Sequence, residues 1–405
     1  MEDVQTIIGD DVGVARLRLH QMLSGEIYGS PLIDIGTTSL TGIRAGGYPG
    51  FRKDQALGNP IFTTLALDST DCHRLGSDFI RTGLLFDQSE IRDGKYLDGF
   101  GVHWLWHDAT FSPARHPLET AELMDVGRHP KPKWIQPIQS IEPESAKSSI
   151  VIADAPCPGL LDMCFMLRNT WQFMVDITSD WRMASALLEW SMETIVQAYT
   201  YMLGILPRPP DVVVYSDDFG YGDSMFFSPS DFRKFIRPRL HALLSRLRGL
   251  TSAAICFHSC GAIEPILSDI ADLEFEIVNL DTSAKGMAVQ HIRRKLPSSM
   301  VLHGSNDLCS MGAAVAKQDK ARIAFLITEL AESAPVVAGP MDNLSSIEEV
   351  HNAARGAAFV RNLSDDDFDS LRRIGPIRGI IEAALEKTYL LGEPLFSENK
   401  QYKSM

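Results

Sequence analysis

Ala253-Ala254-Ile255-Cys256-Phe257-His258-Ser259-Cys260-Gly261 reads as a buried strand that ends in chemistry. The five residues Ala253 to Phe257 are apolar without a break. His258 and Cys260 follow at a spacing of two, which on an extended chain puts both side chains on one side. Imidazole and thiol are ligands that suit zinc. Gly261 allows a sharp turn directly behind them. Four residues alone leave a plainer reading open, in which His258 is a buried histidine and Cys260 an inert core thiol.

Further runs of the same kind surround this one. They are Ile150–Ala153, Val212–Tyr215, Phe275–Leu280, Met300–His303 and Pro335–Ala338. Between them lie amphipathic stretches: Met183 to Leu203, Pro229 to Leu247, Ile263 to Ala271 and Asp319 to Ser333. Ser228-Pro229-Ser230-Asp231 carries a helix start, with Ser228 as cap and Pro229 in the first turn. Near-continuous apolar strands alternating with helices predict a parallel sheet covered on both faces. Six strands here and one or two earlier approach the eight that close a (β/α)8 TIM-type barrel. The expected division is 1–149 for an irregular N-terminal extension with the first barrel elements, and 150–405 for the barrel body, in one structural domain. Within the first part, 100–106 alternates like a strand, and Lys131-Pro132-Lys133-Trp134 with Pro137 and Pro143 reads as an extended linker.

Composition narrows the function. The chain has 405 residues, 45% hydrophobic and 22% charged, an ordinary globular balance. A net charge of −14 argues against nucleic acid, which wants a basic face. No run of eighteen apolar residues occurs, so no membrane span is expected. The N-terminus lacks the basic-then-apolar pattern of a signal peptide, and a cytoplasmic protein is expected. The six cysteines show no C-x-x-C pair and read as thiols.

Polar residues crowd the strand ends. Tyr215 leads into Asp217-Asp218, Phe257 into His258 and Cys260, Leu280 into Asp281, Leu302 into His303 with Asn306 and Asp307, and Ala338 into Pro340-Met341. In a barrel these ends share one face, which is where active sites lie. Each residue keeps a plainer alternative. Asp217 or Asp218 caps a loop, Asp281 caps a turn, His303 is a core histidine, and Cys309 packs. The group His103, Trp104, Trp106 and His107 either lines a pocket or belongs to the core. Asp365 to Asp367 reads as a helix start or a solvated face.

With those residues in hand, the chain resembles the uroporphyrinogen decarboxylase superfamily, and within it the cobalamin-dependent and related methyltransferases. The segment Tyr215-Ser216-Asp217-Asp218-Phe219-Gly220, followed by Ser228-Pro229-Ser230-Asp231-Phe232 and Pro238, carries the likeness most specifically. Leu167 to Asp180, Asp34-Ile35-Gly36 and Gly304-Ser305-Asn306-Asp307 add to it. The resemblance implies a zinc held by His258 and Cys260, with a further Cys after the eighth strand. No Cys stands there in this chain, so Cys309, His303, Asp217 or Asp218 would supply the third ligand. It implies catalytic roles for Asp217, Asp218 and His303, and substrate contacts from Tyr215, Asp281, Asn306, Asp307 and Met341. The substrate would be a small methylated or methoxylated molecule, or a corrinoid carried on a partner protein. Self-association as a homodimer stays open. The alternative activity is a metal-independent decarboxylase or lyase using Asp217 or Asp218 with His258 or His303.

Overall fold

Eight parallel strands follow one another around a ring in chain order. They are β1 (Leu32–Ile33), β2 (Phe79–Thr82), β3 (Ile150–Ala153), β4 (Val212–Ser216), β5 (Ala254–Ser259), β6 (Ile277–Leu280), β7 (Val301–Asp307) and β8 (Val336–Gly339). β2 pairs β3, each later strand pairs the next, and β8 returns to β1 through Leu32↔Val337 and Ile33↔Ala338. Between β1 and β2 the ring is completed by single bonds: the Asp78 N–H donates to the Ile33 carbonyl at 2.7 Å, and the Ile33 N–H to Asp78 Oδ2 at 2.8 Å. The chain is therefore an α/β protein of the TIM-barrel type. The computed structural model describes residues 13–25, 29–35, 75–87, 89, 92–107, 110–135, 149–341 and 347–390.

The strands form because their residues are aliphatic or β-branched and are buried on both faces, as in Ile150–Ala153 and Val212–Ser216. Outward-facing Val213, Ile255, Phe257, Val278 and Leu302 pack under the surrounding helices. Inward-facing Phe79, Ile150, Val212, Ala254, Ile277, Val301 and Val337 fill the floor of the barrel. Leu19 and Met22 of the N-terminal helix Val14–Ser24 join that floor cluster, so this helix closes the end opposite the strand C-termini. Each fully buried aliphatic side chain of this kind contributes roughly 1.5–3 kcal/mol.

The helical stretches stand where their periodicity predicts, with two adjustments. The stretch from Pro229 is Pro229–Asp231, a π turn Phe232–Ile236 and then Arg237–Arg248. Pro238 has no N–H to continue the i→i−4 ladder at the junction. The stretch before Ala271 begins as a 3-10 turn at Glu264–Ile266. Ser364 caps Asp365–Ile374 in a capping box with Asp367, so the acidic run is a helix start. The run around Trp104 is a strand, His103–His107, but it belongs to a separate antiparallel sheet with Lys95–Leu97 and Thr110–Arg115. Trp104 there is core: it stacks on Tyr96, and its Nε1 donates to Asp98 at 2.8 Å. His103 is exposed. The expected linker contributes a short strand, Trp134–Ile135, paired with Leu85–Phe86, and its prolines 137 and 143 lie outside the described residues. No described helix is long and apolar enough to cross a membrane.

Above the apolar floor the interior turns polar. Arg81 of β2 donates to Asp34 at 2.7 Å and to Asp154 at 3.2 Å, and all three side chains are at most 3% exposed. Burial pushes the Asp34 carboxyl up, but the Arg81 charge and the hydrogen bond from His303 outweigh it and hold the group at about 2. Asp154 shares the same guanidinium at longer range, and burial leaves its carboxyl raised. Removing one partner of such a cluster strands the others. Arg81→Leu is thus expected to cost roughly 3–5 kcal/mol in urea unfolding near neutral pH. The Asp34 contribution, about 2 kcal/mol, is fully present above the ordinary carboxylate range and is lost as pH falls through about 2. Acid titrations of stability should show this slope in the wild type and a flatter one in Arg81→Leu. Equal slopes would remove Asp34 from the account.

Candidate metal centre

At the C-terminal ends of β4 and β5, three ligand types meet. Asp218, His258 and Cys260 offer a carboxylate oxygen, an imidazole nitrogen and a sulfur that all lie within 4.8 Å of one another. His258 Nε2 stands 3.5 Å from Cys260 Sγ and 3.9 Å from Asp218 Oδ1. Tetrahedral donors about 2.0–2.3 Å from one zinc are roughly 3.3–3.8 Å apart, so small adjustments would seat an ion. Asp218 Oδ1 also accepts the Cys260 N–H at 2.7 Å, which ties the two strand ends together.

Local sequence explains the convergence. β5 runs one turn of pleat further than its apolar residues, to Ser259, so His258 points inward while Cys260 sits where the chain leaves the sheet. Gly261 follows with φ +77°, and a Cβ there would fall 2.2 Å from the Gly220 carbonyl carbon. Only glycine lets this turn lie against the hairpin formed by Gly220–Tyr221 and Ser224–Met225. Asp281 Oδ2 accepts the Gly261 N–H at 3.3 Å, while its Oδ1 takes Ser283 and Ala284 N–H groups. Asp281 is therefore both a turn cap and a support for the Cys260 loop.

The paired aspartates divide their labour. Asp217 is fully enclosed, and its carboxylate accepts from the Leu161 N–H, the Asp162 N–H and the Tyr215 hydroxyl at 2.7–3.1 Å. It caps the helix Leu160–Arg168, and Gly159 makes room, since a Cβ there would lie 2.3 Å from Asp217 Cβ. Asp218, one residue on, faces His258 and Cys260. Tyr215, whose hydroxyl also accepts the Leu160 N–H, serves this cap and not the open site.

His303 is likewise enclosed. Its Nε2 lies 3.0 Å from Asp34 Oδ2 and its Nδ1 3.1 Å from Asn279 Nδ2. It is not brought to Cys260. The Cys309 thiol donates to the Glu349 carbonyl at 3.5 Å, in the helix Leu308–Ala316, and does not join the three-ligand group. Asp307 caps that helix through the Cys309 and Ser310 N–H groups. Met341 Sδ accepts the Thr282 hydroxyl at 2.8 Å. Asn306 lies in β7, with its side chain outside the described set.

Two residues beside the centre went unread in the sequence. Asn279 of β6 is buried against His258, with Oδ1 2.5 Å from Nδ1. Asp162 accepts the Asp218 N–H at 3.2 Å; burial, with the Asp218 and Asp217 charges, raises its carboxyl well above the usual range. Their signals were faint: Asn279 sits inside an apolar run, and Asp162 in the first turn of a helix, where an acid is ordinary. Asp71-Cys72-His73-Arg74-Leu75-Gly76 also has the Asp-x-His-x-x-Gly spacing found in corrinoid-binding modules. Leu75 and Gly76 lead within three residues into β2, and residues 71–74 lie outside the described set.

Residues 121–322 match the uroporphyrinogen decarboxylase (URO-D) family. The barrel is also similar to that of a solved methyltransferase from Methanosarcina mazei, at 17% identity and a TM-score of 0.56, over 85% of this chain and 98% of that one. That likeness is one of fold. None of the curated proteins compared is similar in sequence.

The two aspartates make a clean contrast. Asp217→Ala strands three buried donors and should cost about 2 kcal/mol or more in urea unfolding. Asp218→Ala, at the rim, should cost about 1 kcal/mol or less. The reverse order would mean that the cap and the site residue have been exchanged.

Proposed function

We infer that this chain, which belongs to the uroporphyrinogen decarboxylase superfamily, is a methyltransferase with a zinc site made by Asp218, His258 and Cys260. The methyl group would come from a small methylated or methoxylated compound, or from a corrinoid carried on a partner protein, and pass to a thiol or corrinoid. The observation that carries this reading is the meeting of three different ligand atoms within 4.8 Å at two adjacent strand ends.

The chemistry of the donors supports it. Burial pushes the Cys260 thiol far up, and the carboxylates of Asp218, Asp281 and Asp162 push it further. Acids and a thiol gathered around one imidazole form a cluster that lacks positive charge. A divalent cation would correct that, and one carboxylate, one thiolate and one imidazole leave a fourth position open. Zinc, when bound, supplies a Lewis acid that keeps a thiol deprotonated at neutral pH. Asp218 orients Cys260 through its N–H, and Asp281 anchors the following glycine. Asp162 accepts the Asp218 N–H beside the centre, and burial together with the Asp218 and Asp217 charges raises its carboxyl well above the usual range. A reducing, cytoplasmic setting suits a free thiol ligand.

The decarboxylase reading takes Asp217 or Asp218 with His258 or His303 as acid and base. Asp217 and His303 are enclosed and committed to partners, which leaves it Asp218 and His258, and these stand with Cys260 in the three-ligand group.

Elemental mass spectrometry on protein purified without chelator or nickel should find about one zinc per chain. His258→Ala and Cys260→Ser should lose it, Asp218→Asn should weaken it, and Cys309→Ser should retain it. Methyl transfer from methylcobalamin to a small thiol should follow the same order. Wild-type protein that takes up no zinc even when incubated with it would end this reading.

A further inference from the structure

We propose that Asn279 is a positioning residue that fixes the tautomer and aim of His258, through a chain of side chains that begins at Arg81 inside the barrel. The proposal rests on the zinc reading for its purpose, but its geometry stands independently.

The chain crosses the interior at the level of the strand C-termini. Arg81 donates to Asp34, His303 Nε2 meets Asp34 Oδ2 at 3.0 Å, Asn279 Nδ2 meets His303 Nδ1 at 3.1 Å, and Asn279 Oδ1 meets His258 Nδ1 at 2.5 Å. An asparagine amide usually has two readings, related by a flip. Here one contact decides. Asn279 also lies 2.8 Å from the backbone carbonyl oxygen of His303, which can only accept. The NH2 end must therefore face His303, and the oxygen must face His258.

The proton order follows from that one carbonyl. With Oδ1 facing it, His258 Nδ1 must carry a hydrogen. Neutral His258 then presents a bare lone pair on Nε2, the atom aimed at Cys260 and Asp218. On the other side, Asn279 donates to His303 Nδ1, so His303 carries its hydrogen on Nε2 and gives it to Asp34. Asp34 is held as an anion by the permanently charged Arg81. Phe79 packs edge-on against the His303 ring, centroids 6.1 Å apart, and limits its rotation. Every link has one direction. An Asn in place of a carboxylate behind His258 adds no further negative charge to an already acidic centre, yet orients the ring as a carboxylate would.

Two measurements test this. Nitrogen-15 spectra of histidine-labelled, metal-free wild type, with His258 assigned by its loss in His258→Gln, should show the Nδ1–H tautomer. Zinc titration against a chelator should show Asn279→Leu, nearly the same size, weakened about 10–100-fold, and the nitrogen-15 spectrum of that variant should show the Nδ1–H preference of His258 lost. An Nε2–H tautomer in the wild type overturns the proposal. So does wild-type zinc affinity in Asn279→Leu, or weakened affinity with the Nδ1–H tautomer of His258 retained, which would point to cavity shape and not to the acceptor. If Asn279→Leu fails to fold, the wild-type spectrum decides alone. A wild type that binds no zinc but shows the Nδ1–H tautomer would sink the zinc reading and leave the orientation of His258 standing.

Discussion

A guanidinium sealed inside a barrel has to be answered by charge, and Arg81 is answered twice, by Asp34 and Asp154. Desolvating three charges costs several kcal/mol each before their attraction repays it. The apolar floor below could not tolerate the cluster, and bulk water above would screen it. It therefore sits at the one level where strands β1, β2 and β3 can each contribute a side chain from their C-terminal ends. The charge fixed there sets Asp34 as an anion, Asp34 meets His303, and the contacts pass across the barrel toward the strand ends that carry His258 and Cys260. The interior of this barrel is a packed core in its lower half and a polar scaffold in its upper half.

The centre itself depends on alternation along extended chain. Asp217 and Asp218 are neighbours in sequence and point opposite ways. One turns outward from the site to accept the first N–H groups of the helix after β3, where an anion is favoured by the helix dipole. The other turns inward to His258 and Cys260. The same alternation puts His258 inside the barrel and leaves Ser259, between it and Cys260, to accept the Phe219 N–H. The hydrogen bonds around the pair hold the β4 and β5 ends in register and make the ligand spacing a property of the sheet.

Much of this was legible in the chain. Six strands could be read because parallel barrel strands are buried on both faces and are therefore written as unbroken apolar runs. β1 and β2 could not be read as firmly: β1 has two residues, and β2 carries Arg81, a residue that looks like a surface charge until its two partners are seen. The His-x-Cys pair was legible because its spacing matches the strand period. Which aspartate belonged to the site was not, since both stand at a strand end and capping is decided by a helix some 55 residues earlier in the chain. His303 stands enclosed among polar groups, between Asp34 and Asn279, and only the structure shows those partners. Asn279 gave only a faint signal, because a polar residue inside an apolar run reads as a weaker strand and not as a contact to a histidine on the neighbouring one.

The place of the third ligand has a consequence for the proposed site. A cysteine after β8 would bridge strands on opposite sides of the ring, and the metal would then stitch the barrel mouth together. Here β8 ends in Val336–Gly339 and the nearest sulfur beyond it, that of Met341, is engaged by Thr282. In the proposed site the carboxylate of Asp218 would take that place from β4, next to β5. The donor charge would be unchanged, two anions and one neutral ring. What would change is mechanical. All three ligands would lie on one short arc of the rim, already joined by the Asp218 to Cys260 N–H bond, and the opposite arc would be free of ligation. A harder oxygen in place of a sulfur also donates less charge, so an ion held here would be a stronger Lewis acid toward whatever thiol approaches from the open side.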